Sequence, residues 1–345
     1  MVKNLSILFF VATIGATIAY YLKFPLPFFM GPVLSVMILS LSGFTFKIPE
    51  IVWTITRVVV GVYLASKLSP SIIDDVIKWS GSFLIQFLLI FISIYLLSYF
   101  YRKFCNFDLP TSISSSTPGG ATAVFLISED LGKIDVHKHF ITHLSRMFFI
   151  VTILPFSIQF YLGKSNINFE KEIFFDLKQF IFVLIVSMAS AFVMKKIKSP
   201  SPYFLGPVIG CGALYISGSV QIVFPEIGLN LCLLIIGCFI GSRFQNYKLQ
   251  DFISNLKFSI FGIILIFFLM ISFAYISHLI FGLDFLALII SYCPGGIYEM
   301  TGMALAFNYE PDFVLAHHIV RLFTIMLCMP FIMRYAFSKR LSSNF

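Results

Sequence analysis

About ten apolar runs, each near the length that crosses a bilayer as a helix, succeed one another along the chain and leave it few other ways to fold. A span needs about 20 predominantly apolar residues, because hydrocarbon offers no partner to exposed peptide groups and a helix satisfies them internally. Lys, Arg, Pro or Asn bounds each run. Of 345 residues, 59% are hydrophobic and 12% are charged, against about 25% charged in an average soluble domain, which excludes a soluble globular protein. The formal net charge of +8 comes from short clusters between the runs, not from a single stripe, so it does not read as a nucleic-acid surface. The cysteines Cys105, Cys211, Cys232, Cys238, Cys293 and Cys328 form no CxxC. They read as small apolar residues rather than disulfides or zinc ligands.

The chain is also written twice. Pro25, Pro27, Gly31 and Pro32 recur as Pro200, Pro202, Gly206 and Pro207; Pro49-Glu50 as Pro225-Glu226; Gly61 with Ser66-Lys67 as Gly237 with Ser242-Arg243. Pro118-Gly119-Gly120 recurs as Pro294-Gly295-Gly296, and His143, Arg146 and Pro155 as His318, Arg321 and Pro330. Every pair is offset by 175 or 176 positions, so the chain divides into membrane repeats at 1–165 and 166–345. The first apolar run, preceded by Lys3, superficially resembles a signal peptide. Its counterpart before Lys195 marks it as a retained structural helix.

Spans are expected at about 4–22, 26–44, 51–68, 79–101 and 139–161, and again at 174–194, 203–222, 228–244, 255–281 and 312–334, with Pro/Gly-interrupted segments at 109–130 and 284–307. If each interrupted segment enters and returns on one side, each copy has an odd number of crossings and the copies are inverted. Fifteen Lys and Arg then lie inside, among them Lys47, Arg102, Lys195, Arg243 and Lys339, against six outside: Lys23, Lys67, Lys78, Lys164, Lys171 and Lys178. The expected fold is an all-α polytopic membrane protein of about ten transmembrane helices in two inverted repeats. Each repeat has a Pro-Gly-Gly-broken re-entrant segment, and both termini are cytoplasmic.

Broken backbone at membrane depth is tolerated only where it is buried in protein or lines a wet cavity. Thr111, Ser112, Ser114, Ser115, Ser116 and Thr117 run into the first break, and Ser291 and Tyr292 precede the second. Gly119-Gly120 and Gly295-Gly296 would each open a short helix whose N–H groups point inward, a ready anion site. The competing account is that these glycines only allow close helix packing. Broken helices meeting near the midplane of an inverted repeat are where a transporter holds its substrate. The candidate substrate-binding residues are Ser116, Thr117, Gly119, Gly120, Gly295, Gly296 and Tyr298, with Arg146 and Arg321.

The two arginines fall roughly 10–14 Å into their spans at 1.5 Å per residue, where a charge requires a cavity or a partner. Guanidinium suits anion recognition, although a structural pairing with a carboxylate is the alternative. His143 and His318 stand three residues earlier on the same helical face, in a supporting position. Glu299 has no counterpart, since Ala123 occupies the matching place. It is either a coupling site for a proton or cation or a salt-bridge partner of Arg321. Glu129, Asp130, Glu310 and Asp312 read as helix-end caps or cavity rim. The set His137, His139, His143, with His317 and His318, lacks the spacing of a metal shell. No nucleophile elbow, P-loop or dinucleotide fingerprint occurs, so neither metal nor cofactor is expected and the chain does not read as an enzyme.

The doubled Pro-Gly-Gly segments, the doubled Gly-Pro at 31–32 and 206–207, the His-x-x-Arg at 143–146 and 318–321 and the Pro-Gly-Gly-Ile-Tyr-Glu-Met run at 294–300 resemble the AbrB family of bacterial membrane proteins with duplicated domains. The resemblance implies membership across nearly the whole chain and a place in the bacterial inner membrane. The labels that family carries, ammonia monooxygenase or regulator of gene expression, imply no mechanism. The expected function is secondary transport of a small, anionic solute, with proton or sodium as coupling ion, lipid as surroundings, an oligomer as an option and no nucleic-acid partner. The alternatives are a membrane sensor acting indirectly in regulation and, behind it, a membrane metalloenzyme.

Overall fold

The computed structural model describes residues 2–68, 70–132, 134–163, 176–199, 201–222 and 224–342. Lys133, Lys164, Lys171 and Pro200 lie outside the described residues, as do the side chains of Lys3, Glu129, Asp130, Lys257 and Arg340. The described elements are helices: α1 (Val2–Tyr21), α2 (Pro27–Leu41), α3 (Glu50–Ala65), α4 (Ile72–Cys105), α5 (Leu109–Ser116), α6 (Ala121–Leu131) and α7 (Val136–Leu162) from the first copy. The second copy supplies α8 (Leu177–Lys196), α9 (Pro202–Ile216), α10 (Glu226–Ser242), α11 (Leu249–Phe281), α12 (Phe285–Tyr292), α13 (Ile297–Ala306) and α14 (Pro311–Ser342). Matching helices have matching lengths: 20 residues in α1 and α8, 15 in α2 and α9, 8 in α5 and α12.

The duplication extends to backbone detail. Leu26 and Ser201 both take left-handed conformations, φ 48° and 53°, immediately before Pro27 and Pro202. Proline suits the first helical position because its ring presets φ and its missing N–H would have had no intrahelical partner. Asp108 and Asp284, extended, precede α5 and α12 in the same way.

Among the described residues, six segments are long and apolar enough to cross a membrane: Asp74–Cys105, Val136–Leu162, Leu177–Lys196, Glu226–Asn246, Ser259–Phe281 and Pro311–Lys339. The helices α2, α3 and α9 are shorter, at 15 to 16 residues, about 22–24 Å of helix. On α8 only Val183, Ser187 and Ala191 are buried, a single stripe at i, i+4, i+8, while Ile185, Met188 and Phe192 face outward. Phe10, Leu84 and Phe268 are likewise exposed on α1, α4 and α11. Apolar surface this continuous is compatible with an integral membrane protein, where lipid takes the place of water.

Two compact units form, and each draws on both copies. The first holds α1–α3 and α8–α10 with the end of α7. In it α1 packs on α2 and α8 on α9, while α3 packs on α9 and α10 on α2. Small residues permit these approaches: a side-chain carbon on Gly61 would lie 2.7 Å from the Phe204 carbonyl oxygen, and one on Gly237 would lie 2.7 Å from that of Phe29. The repeated Gly61 and Gly237 are thus the points at which the copies exchange partners.

The second unit holds α4 from Lys78, α5, α6, most of α7, α11, α12, the start of α13 and α14 from Phe313. Ile90 and Ile94 of α4, Ile113 of α5, Val124 of α6 and Ile325, Met329 and Met333 of α14 form one apolar cluster. Leu97, Phe100 and Tyr101 of α4 form another with Ile266 of α11. Both Pro-Gly-Gly segments, Arg146 and Arg321 belong to this unit.

Candidate functional site

Each Pro-Gly-Gly segment breaks a helix in two. α5 stops at Ser116 because Thr117 is extended (φ −61°, ψ 127°) before Pro118, as proline disfavours the helical region for the residue it follows. α12 stops the same way at Cys293 (φ −59°, ψ 129°) before Pro294. Gly119 and Gly120 both have positive φ, 91° and 65°, a turn open to glycine without steric cost, and α6 begins directly after them. No side chain caps its N-terminus. The two breaks meet: a side-chain carbon on Gly119 would lie 3.5 Å from the Gly295 carbonyl oxygen.

A helix broken inside a protein leaves carbonyls at its C-terminal end without partners. The arginines supply them. Arg146 Nη2 donates to the Thr117 carbonyl at 2.7 Å, and Arg321 donates through Nη1 to Cys293 O and through Nη2 to Gly295 O. Each cation also faces the negative end of a helix dipole. His143 Nε2 lies 3.1 Å from Ser114 O and His318 Nε2 3.3 Å from Ile290 O, so in both rings Nε2 carries the proton. Nδ1 then accepts from the arginine Nη2, at 2.6 Å in each copy. Both histidines are therefore neutral and orient the guanidinium three residues on.

Within this near-symmetry the two breaks differ. Arg321 is engaged through both Nη atoms, whereas Arg146 Nη1 is buried with no hydrogen-bond partner among the described residues. Glu299, in the first turn of α13, folds its carboxylate back over Gly296, where a side-chain carbon would collide with it. Its Oε2 is buried and unpartnered among the described residues, and no ion pair within 4.0 Å joins it to Arg321 there. Arg146, Arg321 and Glu299 are only 3–4% exposed, so these are groups without access to bulk water. Ser115 Oγ, Ser291 Oγ, Gln86 Oε1 and Ser93 Oγ are likewise buried and unmet.

A cleft with a cavity volume of about 10 Å³ lies between the breaks, room for about one water. Pro118, Pro294, Tyr292 and Arg321 line it together with Gln86 and Ser93 of α4, over apolar walls from Leu89, Ile90, Ile266 and Met270. Gln86 Nε2 reaches the Ser291 carbonyl at 3.3 Å.

The residues singled out from sequence are thus distributed unevenly. Gly295, Arg146, Arg321 and Glu299 are buried around the two breaks, and Gly119, Gly120, Gly296 and Tyr298 are half-buried beside them. The hydroxyls of Ser116 and Thr117 are turned onto their own helix, accepted by Ser112 O at 2.6 Å and Ile113 O at 3.1 Å. Ser115 and Ser291, named in the polar runs before the breaks but not among the candidate binding residues, are the hydroxyls of those runs left unmet among the described residues. The register of the duplication is the signal that finds them: at an offset of 176, Ser115 matches Ser291, whereas Ser114 meets Ile290 and Thr117 meets Cys293. Gln86, an amide in the long apolar run of α4, was equally visible. Among the remaining histidines, His139 bonds Ser114 Oγ and Ala121 O, and His317 bonds Ser82 Oγ and Phe313 O, so their ring nitrogens are engaged.

The chain is 22% identical to "Putative regulator AbrB" of Escherichia coli (strain K12) over 315 residues, 90% of each chain. It is 21% identical over 295 residues to "Uncharacterized protein YhjN" of Bacillus subtilis (strain 168), covering 79% of this chain and 76% of that one. Neither name is that of an enzyme. No solved structure matches. The model of the family described as "Transition state regulatory protein AbrB" matches residues 28–337. A match over that much of the chain places the protein, a helical fold with six candidate membrane spans among the described residues, in the AbrB family.

Proposed function

We propose that this AbrB-family protein is a secondary transporter of a small anionic solute across the bacterial cytoplasmic membrane. The observation that carries the reading is Arg146: a buried guanidinium held on the Thr117 carbonyl at the first break, with its other terminal nitrogen unmet among the described residues. Such a group is costly to bury without an anion. Arg146 contacts the solute's anionic group, Arg321 adds charge while holding the second break, and His143 and His318 orient the two. Ser116, Thr117, Gly119, Gly120, Gly295, Gly296 and Tyr298 frame the site. Glu299, the carboxylate without a counterpart, couples movement to a proton or sodium ion.

The topology in this reading has about ten crossings, both breaks re-entrant, the copies inverted and both termini cytoplasmic. The exchange of partners through Gly61 and Gly237 supports a two-fold relation between the copies, and the split of Lys and Arg favours the inverted form. Regulation, the word in the name of the Escherichia coli relative, enters as a consequence of the solute level that transport sets.

The test is flux in proteoliposomes. Radiolabelled lactate and propionate are offered with and without imposed proton or sodium gradients. Saturable, protein-dependent exchange supports transport. Flux at the level of empty vesicles, from protein that still binds either anion, refutes it. Glu299→Gln should remain folded and bind while gradient-driven uptake disappears.

A further inference from the structure

The first unit carries a stack of cations and rings that its other copy does not repeat. Arg57 lies seven residues past Glu50 on α3, about 10 Å along the helix, and its side chain runs back toward the helix start. Nη2 donates to Glu50 Oε1 at 2.6 Å and to Thr54 Oγ1 at 2.9 Å. A long cation on an apolar helix brings its head to the membrane surface in this way. Arg57 Cζ is 5.3 Å from the centre of the Tyr203 ring, and Lys195 Nζ is 5.7 Å from the same centre. On its other side Arg57 Cζ is 5.7 Å from the Trp53 ring, which stacks on Phe239 at 3.9 Å, and Arg243 Cζ is 4.6 Å from Phe239. Phe46 N donates to Gln245 Oε1 at 2.8 Å, so the loop entering α3 and the stretch leaving α10 lie at one end of the unit.

We propose that this stack seats an anionic phospholipid, its phosphate against Arg57 and Lys195 beside the Tyr203 ring. The inference goes beyond the transport reading and takes from the topology only that the leaflet is the inner one.

The duplication shows what the fold itself requires. At the offsets of 175 and 176, Lys195 matches Tyr20, Tyr203 matches Phe28, Trp53 matches Leu229, Arg57 matches Leu233 and Arg243 matches Lys67. The same helices therefore pack with the same close approaches at Gly61 and Gly237, using buried leucines where the first copy has Trp53 and Arg57. Packing does not demand Arg57, whose Nε is buried without a partner among the described residues. Three cations and one carboxylate, Glu50, make up one place, and the equivalent place has the single cation Lys67. Lys195 and Arg243 are exposed and Arg57 is half-buried, so phosphate oxygens can reach the charges from the surface. Beside them Ile51 and Ile55 of α3 and Phe192 of α8 are exposed apolar side chains. A free phosphate would use only the cations, whereas a lipid uses the cations, the interfacial rings and this apolar surface together.

The experiment uses the full chain in a neutral detergent, with melting temperature followed as phosphatidylglycerol, phosphatidylcholine or inorganic phosphate is titrated in. Phosphatidylglycerol should stabilise saturably, and the other two should not at matched phosphate. Arg57→Leu and Lys195→Tyr, which copy the residues of the other repeat, should each weaken phosphatidylglycerol by about fivefold, the worth of one basic residue near an anionic surface. Lys195 is exposed, so Lys195→Tyr tests the site even where Arg57→Leu lowers the yield of folded protein. Glu50→Gln, which removes the competing carboxylate, should tighten binding, and Lys67→Leu should leave it unchanged. Equal stabilisation by phosphatidylcholine, or unaltered affinity in folded Lys195→Tyr, overturns the proposal. A loss in Lys67→Leu as large as in Lys195→Tyr also overturns it, by showing a general charge effect, and stabilisation by inorganic phosphate alone does so by assigning the stack to a soluble anion. The stack belongs to the first unit and both breaks to the second, so a lipid site without flux, or flux without a lipid site, separates this proposal from transport.

Discussion

A side-chain carbon on Gly119 would lie 3.5 Å from both Nε and Nη2 of Arg321, so the backbone of the first copy's break runs against the guanidinium of the second copy. The same arginine caps the end of α12 through Cys293 O and Gly295 O. One cation thereby ties together two breaks that are 176 residues apart in sequence.

Arg321→Gln is expected to destabilise the protein more than Arg146→Gln. The first strips donors from Cys293 O, Gly295 O and His318 Nδ1. The second strips them from Thr117 O and His143 Nδ1 and also removes an unmet donor. At about 1–3 kcal/mol for each acceptor left unmet, the ordering should be plain in melting curves of the purified variants. A larger loss for Arg146→Gln would show that Arg321 is not the main cap.

Ser115→Ala and Ser291→Ala should leave melting temperature unchanged or slightly raised, because each removes a buried hydroxyl without a partner. Both should weaken binding of the anionic probe by about 2–10-fold, the worth of about 0.5–1.5 kcal/mol for a hydrogen bond. Calorimetry on the folded variants reads this directly, and unaltered affinity in both would remove these serines from the site.

Gly237→Ala should cost about 1–3 kcal/mol, since its side-chain carbon would stand 2.7 Å from a backbone oxygen that helix α2 cannot easily move. Gly302→Ala, whose nearest neighbour is the flexible end of Leu233 at 3.4 Å, should be neutral or stabilising by up to about 1 kcal/mol because alanine favours helix. Equal melting temperatures for the two variants would contradict the close approach of α10 to α2.

Single cysteines replacing Lys164 and Arg243, on a background lacking the native ones, should label from opposite sides of the membrane. Fifteen against six Lys and Arg set that expectation. Labelling of both by one impermeant reagent from the same side would rule out inverted copies.

Much of the helical framework could be read in the residues. α7 begins at Val136 and α12 ends at Tyr292, close to boundaries drawn from apolar runs and from Pro294. These are local effects of hydropathy and of the backbone limits of proline and glycine. Ser116 and Thr117 show where such reading stops. A run of hydroxyls before a break looks like a polar lining, yet each hydroxyl chooses between its own helix carbonyl and the interior according to its direction around the helix.

The sequence alone determined the duplication, the apolar spans, the two breaks, the pair of arginines and the unmatched Glu299, because each is a property of a residue or of its near neighbours. Only the tertiary structure decided which arginine is spent and which is open. Arg146 meets a carbonyl 29 residues away and Arg321 one 28 residues away, while Gln86 reaches across 205 residues to Ser291. Contacts over such separations depend on how helices are brought together, and burial then makes a single unmet nitrogen costly to leave without a partner.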